Sequence, residues 1–167
     1  MMLQHDQLKP EYRLTATSAL RAQLDSALFR EIRIGHASVE RLPNGDLRIL
    51  LHADLLFSGA GMYGLNGKGR ELLDRLAPSL LQLGAENRVR VVCHSSRPAS
   101  TLSRALFIDA WKLTGCCSAH VVSHFLRKRE LESLHFRAEG HAYAEPIAAG
   151  DDERNRRLEI RIEYFGG

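Results

Sequence analysis

Apolar residues recur every fourth position at Leu20, Leu24, Leu28 and Ile32, which draws one stripe along a helix. Thr17 or Ser18 is placed to cap its first turn, and Gly35 to end it. Two short strands, Ser38 to Leu42 and Asp46 to Leu51, flank Pro43-Asn44-Gly45, where Asn-Gly supplies the positive backbone angles of a tight hairpin. Asp54 to Gly64 reads as a loop of small residues with Leu55, Leu56 and Phe57 turned inward. From Gly67 to Leu83 a second helix carries Leu72, Leu73, Leu76, Leu80 and Leu83 on one face, bent or shortened by Pro78. Arg88 to His94 alternates as a strand, with Val89, Val91 and Cys93 facing one way.

Ser95 to Ile108 contains Pro98 and little periodicity, so it is expected to be a long loop, of a length that is more often functional or mobile than accidental. Its apolar Leu106, Phe107 and Ile108 are expected at the loop's tip. Asp109 is expected to cap a third helix reaching about Arg127, with Leu113, Cys117 and Val121 aligned. Leu134 to Ala138 is a short strand. After a loop holding Pro146 and Gly150 comes Arg156 to Tyr164, where Leu158, Ile160, Ile162 and Tyr164 alternate with Arg157, Glu159, Arg161 and Glu163. One face of that strand should be buried and the other wet. The order helix, hairpin, helix, strand, helix, strand, strand predicts an α/β domain, a mixed sheet with helices packed on one face.

Composition narrows the function classes. The 167 residues fit one domain, and 44% hydrophobic with 26% charged residues is an ordinary globular balance. The formal net charge is +3, and the densest basic run, Arg127-Lys128-Arg129, is closed by Glu130 and Glu132. That is a solvated helix end, so no nucleic-acid partner is expected. No apolar run approaches the roughly 18 residues of a membrane-spanning helix. Met1 to Arg13 lacks the apolar core of a signal peptide, which leaves a cytosolic chain or a piece of a longer anchored protein.

Three cysteines, two of them the adjacent Cys116 and Cys117, do not make a disulfide framework. Cys116, His120 and His124 share a helix face, with Cys117 and His94 as further zinc candidates. A structural zinc site wants four ligands and no second fixed pair exists, so no metal or cofactor is expected and that face is read as solvated. Cys117 beside His94 or His120 lacks an orienting carboxylate, so no enzyme is expected.

Several segments, in order, resemble the C-terminal OmpA-like domain family, in the forms found in the stator protein MotB and in type VI secretion membrane components. Leu55-Leu56-Phe57, Leu65, Gly69 and Leu72-Leu73 resemble the entry to its first helix. Val91-Val92-Cys93-His94-Ser95-Ser96 stands where the family has a strand ending G-H-T-D, and Trp111-Lys112-Leu113-Thr114 where N-W-x-L-S is common. Ala138-Glu139-Gly140 to Glu145-Pro146 resembles its glycine-rich strand and loop. Asn155-Arg156-Arg157-Leu158-Glu159-Ile160 is nearly its closing N-R-R-V-E-I. The OmpA-like domain is then expected over residues 46–167, preceded by a tail, helix and first hairpin strand over residues 1–45.

The resemblance implies a pocket that grips the zwitterionic diaminopimelate of peptidoglycan with an aspartate and an arginine, whose planar fork holds both carboxylate oxygens. Carried over, the pocket comprises His94, Ser95, Ser96, Arg97, Ala110, Leu113, Cys117 and Arg156, and it is degenerate. The aspartate falls on Ser96, the arginine on Cys117 and an asparagine on Ala110. Each charge-assisted hydrogen bond contributes about 1.5–3 kcal/mol, so losing two weakens binding about a hundredfold to ten-thousandfold. Peptidoglycan binding is therefore expected to be weak or absent unless Arg97 or Arg104 supplies a displaced guanidinium. Arg156 is expected to be structural. The family also places the equivalents of Cys93 and Cys117 on opposing pocket walls, where they either bridge or act as small buried hydrophobes. The implied setting is periplasmic, with other envelope-machine proteins as partners, a homodimer as one arrangement, and membrane attachment only through a segment outside this sequence.

Overall fold

A computed structural model describes residues 10–58, 64–97, 104–150 and 152–164, with only the backbone described for residues 10–15 and 104–108. Helix α1 (Pro10–Ala27) is followed after one turn residue by α2 (Phe29–Arg33). The amide of Leu28 bonds the carbonyl of Leu24, and that of Ile32 the carbonyl of Leu28, so the apolar stripe continues across the break. Leu20, Leu24 and Leu28 are buried and Ile32 packs beside them. Thr17 and Ser18 lie inside α1 rather than capping it. The chain is already helical at Pro10, the first described residue.

Strands β1 (Ala37–Arg41) and β2 (Leu47–His52) form the expected hairpin. Gly45 takes φ +90° but Asn44 does not, so the turn is a three-residue loop closed by Leu42 N–H to the Asp46 carbonyl. Helix α3 (Gly67–Leu80) is capped by the Asn66 side chain, which accepts from the Gly69 amide at 2.6 Å. Pro78 sits in its last turn, and the helix stops two residues later, three short of Leu83.

Strand β3 (Asn87–His94) leads toward α4 (Arg104–Phe125). The chain is already helical five residues before Asp109, which is an exposed interior residue and no cap. The run Ala105 to Ile108 is apolar throughout and so shows no helical period to a sequence reading. Leu106, Phe107 and Ile108 thus belong to helix backbone rather than to a loop tip, and residues 98–103 lie outside the described residues. Strands β4 (His135–Gly140) and β5 (Arg157–Tyr164) complete one sheet of order β1-β2-β5-β3-β4. Only β3 and β4 pair in parallel. The hairpin turn at residues 43–45 therefore joins two strands of the same sheet rather than two separate layers.

One sheet face carries Val39, Ile49, Leu51, Val89, Val91, Leu158 and Ile160 against the helical leucines, forming the core. The opposite face is a lattice of alternating charge. Arg90 bonds Glu139 and Glu163 at 2.7 Å each, and Arg48 reaches Glu40. This face is not uniformly wet, because Arg157 and Glu159 are only 2% and 0% exposed.

Because Leu24 is fully buried in that core, Leu24→Ala should lower unfolding free energy by about 2–5 kcal/mol. Urea denaturation measures it. An unchanged midpoint would make α1 a detachable leader instead of part of the fold.

Candidate functional site

Of the residues expected in the pocket, His94, Ser95 and Cys117 lie where the end of β3 meets α4 and the loop after β4. Alternation along β3 sends Cys93 into the core and His94 to the charged face. Cys93 and Cys117 are joined by a disulfide with Cα atoms 6.2 Å apart, and both are 1% exposed. Cys117 is therefore no thiol nucleophile, which removes its pairing with His94 or His120. Cys116 is free and exposed on the other side of α4.

The three segments are sewn together by hydrogen bonds. The Ser95 amide donates to the Ala142 carbonyl at 2.7 Å, and the Ala142 amide donates to Thr114 Oγ1 at 3.1 Å. Thr114 Oγ1 in turn donates to the Ala110 carbonyl at 2.9 Å. Ala142 takes φ +46°, a strained left-handed conformation that these two bonds hold in place. A Cβ on Gly140 would lie 2.3 Å from the Gly115 backbone nitrogen, so only glycine lets β4 approach α4 this closely.

The other predicted residues are placed as follows. Ser96 is half-buried, and the exposed Arg97 lays its guanidinium over the Tyr143 ring, 5.9 Å from the centroid. Leu113 is partly buried and packs against the core. Arg156 turns away to Asp54, with Nη2 3.3 Å from the carboxylate. Arg104 has a described backbone in the first turn of α4, and its side chain lies outside the described residues. The helix face proposed for zinc does not converge. His124 bonds Asp74 at 3.0 Å, while His120 and Cys116 are exposed.

Across the sheet from the disulfide lies a polar cluster that the sequence reading missed. Arg157 Nε bonds Glu159 Oε1 at 2.8 Å, and Arg161 Nε bonds Glu159 Oε2 at 2.8 Å. Arg157 Nη2 also donates to the Glu145 carbonyl at 3.0 Å, so the loop after β4 lies over this pair. Burial alone would raise the Glu159 pKa, but Arg161 and Arg157 bring it below the ordinary carboxylate range. His94 sits beside them with Nε2 3.5 Å from Glu159 and its ring edge against the His141 ring. Burial, reinforced by the Arg157 charge, pushes the His94 pKa down to about 3. Among the described residues, one group of three candidate metal ligands converges: His94, His141 and Glu145, with one donor atom of each within 4.8 Å of the others. The sequence signal for this cluster was the Arg157, Glu159, Arg161 alternation, whose burial depends on a loop distant in the chain.

No family model and no curated protein matches the chain. Solved structures do. A MotB-like protein from Desulfovibrio vulgaris superposes with TM-score 0.71 at 18% identity, covering 94% of this chain and 96% of that one. The cell wall anchor of the type VI secretion system from Pseudomonas aeruginosa gives 0.65 at 26% identity, covering 88% and 99%. The periplasmic domain of Helicobacter pylori MotB gives 0.62 at 18%, covering 77% and 82%.

Two outcomes test the site's energetics. Native His94 refuses a proton that the unfolded chain accepts near pH 6.5, so its contribution is complete above that pH and lost as pH falls toward 3. Urea titrations in chelated buffer should show this acid slope, and His94→Gln should flatten it; an equal slope in both proteins would contradict the assignment. Thr114→Val, which strands the buried Ala142 amide, should cost about 1–3 kcal/mol by the same measurement. In fold, the chain is similar to a MotB-like protein, to the type VI secretion cell wall anchor and to the OmpA-like domain of a Francisella tularensis protein (TM-score 0.54 at 19% identity, covering 77% of this chain and 82% of that one).

Proposed function

We propose that this chain is a periplasmic, envelope-anchoring domain of a motility or secretion machine that works by docking on partner proteins, with its peptidoglycan grip lost or weakened. The fold shared with a MotB periplasmic domain and a secretion-system cell wall anchor supports the setting. A buried disulfide between Cys93 and Cys117 fits an oxidising compartment such as the periplasm. One observation carries the reading of the pocket: the position of the family arginine is a half-cystine sealed in the core, and that of the aspartate is the neutral Ser96. A ligand carrying an ammonium and a carboxylate finds neither counter-ion there.

A second reading is supported by Arg97, next to Ser96 and stacked on Tyr143. It supplies a guanidinium at the pocket's rim, and the domain then remains an anchor with a rearranged grip.

Co-sedimentation with diaminopimelate-type sacculi separates the two. The docking reading expects no retention above a non-binding control. It also expects retention to appear when Cys93→Gly, Ser96→Asp and Cys117→Arg are combined. Salt-sensitive retention of the unaltered protein that disappears in Arg97→Ala would establish the second reading and overturn the first.

A further inference from the structure

The cluster on the charged face of the sheet contains an imidazole whose Nε2 lies 3.5 Å from Glu159 without a hydrogen bond. His94 is 1% exposed, and neither Nδ1 nor Nε2 has a hydrogen-bond partner. Buried polar atoms are almost always satisfied, and stranding them costs about 1–3 kcal/mol each. An unpaired ring in this position points to a group that completes it.

The neighbouring ring shows what kind of group. His141 has a carboxylate at each nitrogen, Glu139 Oε2 3.2 Å from Nε2 and Glu145 Oε1 3.2 Å from Nδ1. In its neutral form the ring has one N–H and one lone pair, so it satisfies one of these carboxylates and leaves the other facing a lone pair. Nε2–H donating to Glu139 leaves the Nδ1 lone pair facing Glu145. A cation shared by Nδ1 and Glu145 relieves that contact. The 3.2 Å separation suits it, because two ligands each about 2.1 Å from a tetrahedral zinc ion stand about 3.4 Å apart. Glu139 behind the ring is then the carboxylate that orients a metal-bound histidine.

We propose that His94, His141 and Glu145 form a binding site for a zinc-like divalent metal ion, with Glu139 positioning His141. Two imidazoles and one carboxylate are a donor set that zinc accepts, leaving a fourth position for water or a partner's side chain. Glu145 is 52% exposed along its side chain, so the open position faces solvent. Glu139 keeps its place through Arg90, which grips it with Nε at 2.8 Å and Nη2 at 2.7 Å. A neutral His94 offers one ring lone pair to a metal ion and keeps one N–H. The site lies across the sheet from the disulfide, so it stands apart from the docking reading.

Isothermal titration of the disulfide-intact, chelator-stripped chain with zinc chloride tests the site, in a Cys116→Ser background that removes the exposed thiol. The result expected is one ion per chain. Affinity should fall about a hundredfold or more in His141→Ala, and Glu145→Gln repeats the loss on a half-exposed side chain where folding is not at stake. Glu139→Gln should weaken binding about 10–100-fold. Cobalt(II) should give visible bands of a low-coordinate nitrogen and oxygen site. No zinc uptake overturns the proposal, and so does uptake unchanged by both His141→Ala and Glu145→Gln. Uptake confined to protein that retains Cys116, with a thiolate charge-transfer band, assigns the metal elsewhere and equally overturns it.

Discussion

The bond between Cys93 and Cys117 fixes the corner on which the rest of this molecule turns. It ties the last core-facing residue of β3 to the middle of α4, and everything nearby is arranged around that crossing. Gly140 lies against the Gly115 backbone because no Cβ fits between β4 and the helix. Thr114, Ala142 and Ser95 then pass hydrogen bonds from α4 through the loop to the strand end. That corner is filled by a sulfur bridge in a dry core, with both half-cystines 1% exposed.

The other side of the same strand end follows from the pleat. With Cys93 turned inward, His94 must point outward, where the loop after β4 covers it together with Arg157 and Glu159. Burying a guanidinium and a carboxylate is costly unless each is fully bonded. Glu159 meets that condition with both oxygens engaged by two arginines. His94 does not, and that asymmetry is what marks the cluster as incomplete.

Most of the fold was legible in the residues because local periodicity and burial agree. The leucines of α1 and α3, the hairpin at Gly45 and the alternation of β5 all fall where the pattern puts them. Ends of helices were less legible. The uniformly apolar run at residues 105–108 hid the first described turn of α4, and α1 is already helical at Pro10, well before the serine and threonine that look like caps. Gathering Ser96, Cys117 and the loop after β4 at one corner was implied by family resemblance, whereas the turning of Arg156 toward Asp54 was not. Burial of Glu159 and the meeting of His94 with His141 depend on tertiary covering, which no window of sequence displays.

The central claim is that the corner between β3 and α4 has lost its electrostatic grip on the cell wall. Amide chemical shifts of Ser95, Ser96, Ala110 and Thr114, followed while a diaminopimelate-containing stem peptide is titrated to roughly millimolar concentration, test this directly. The account predicts small shifts that do not saturate. Saturating shifts centred on Ser96 and Ala110 would contradict it.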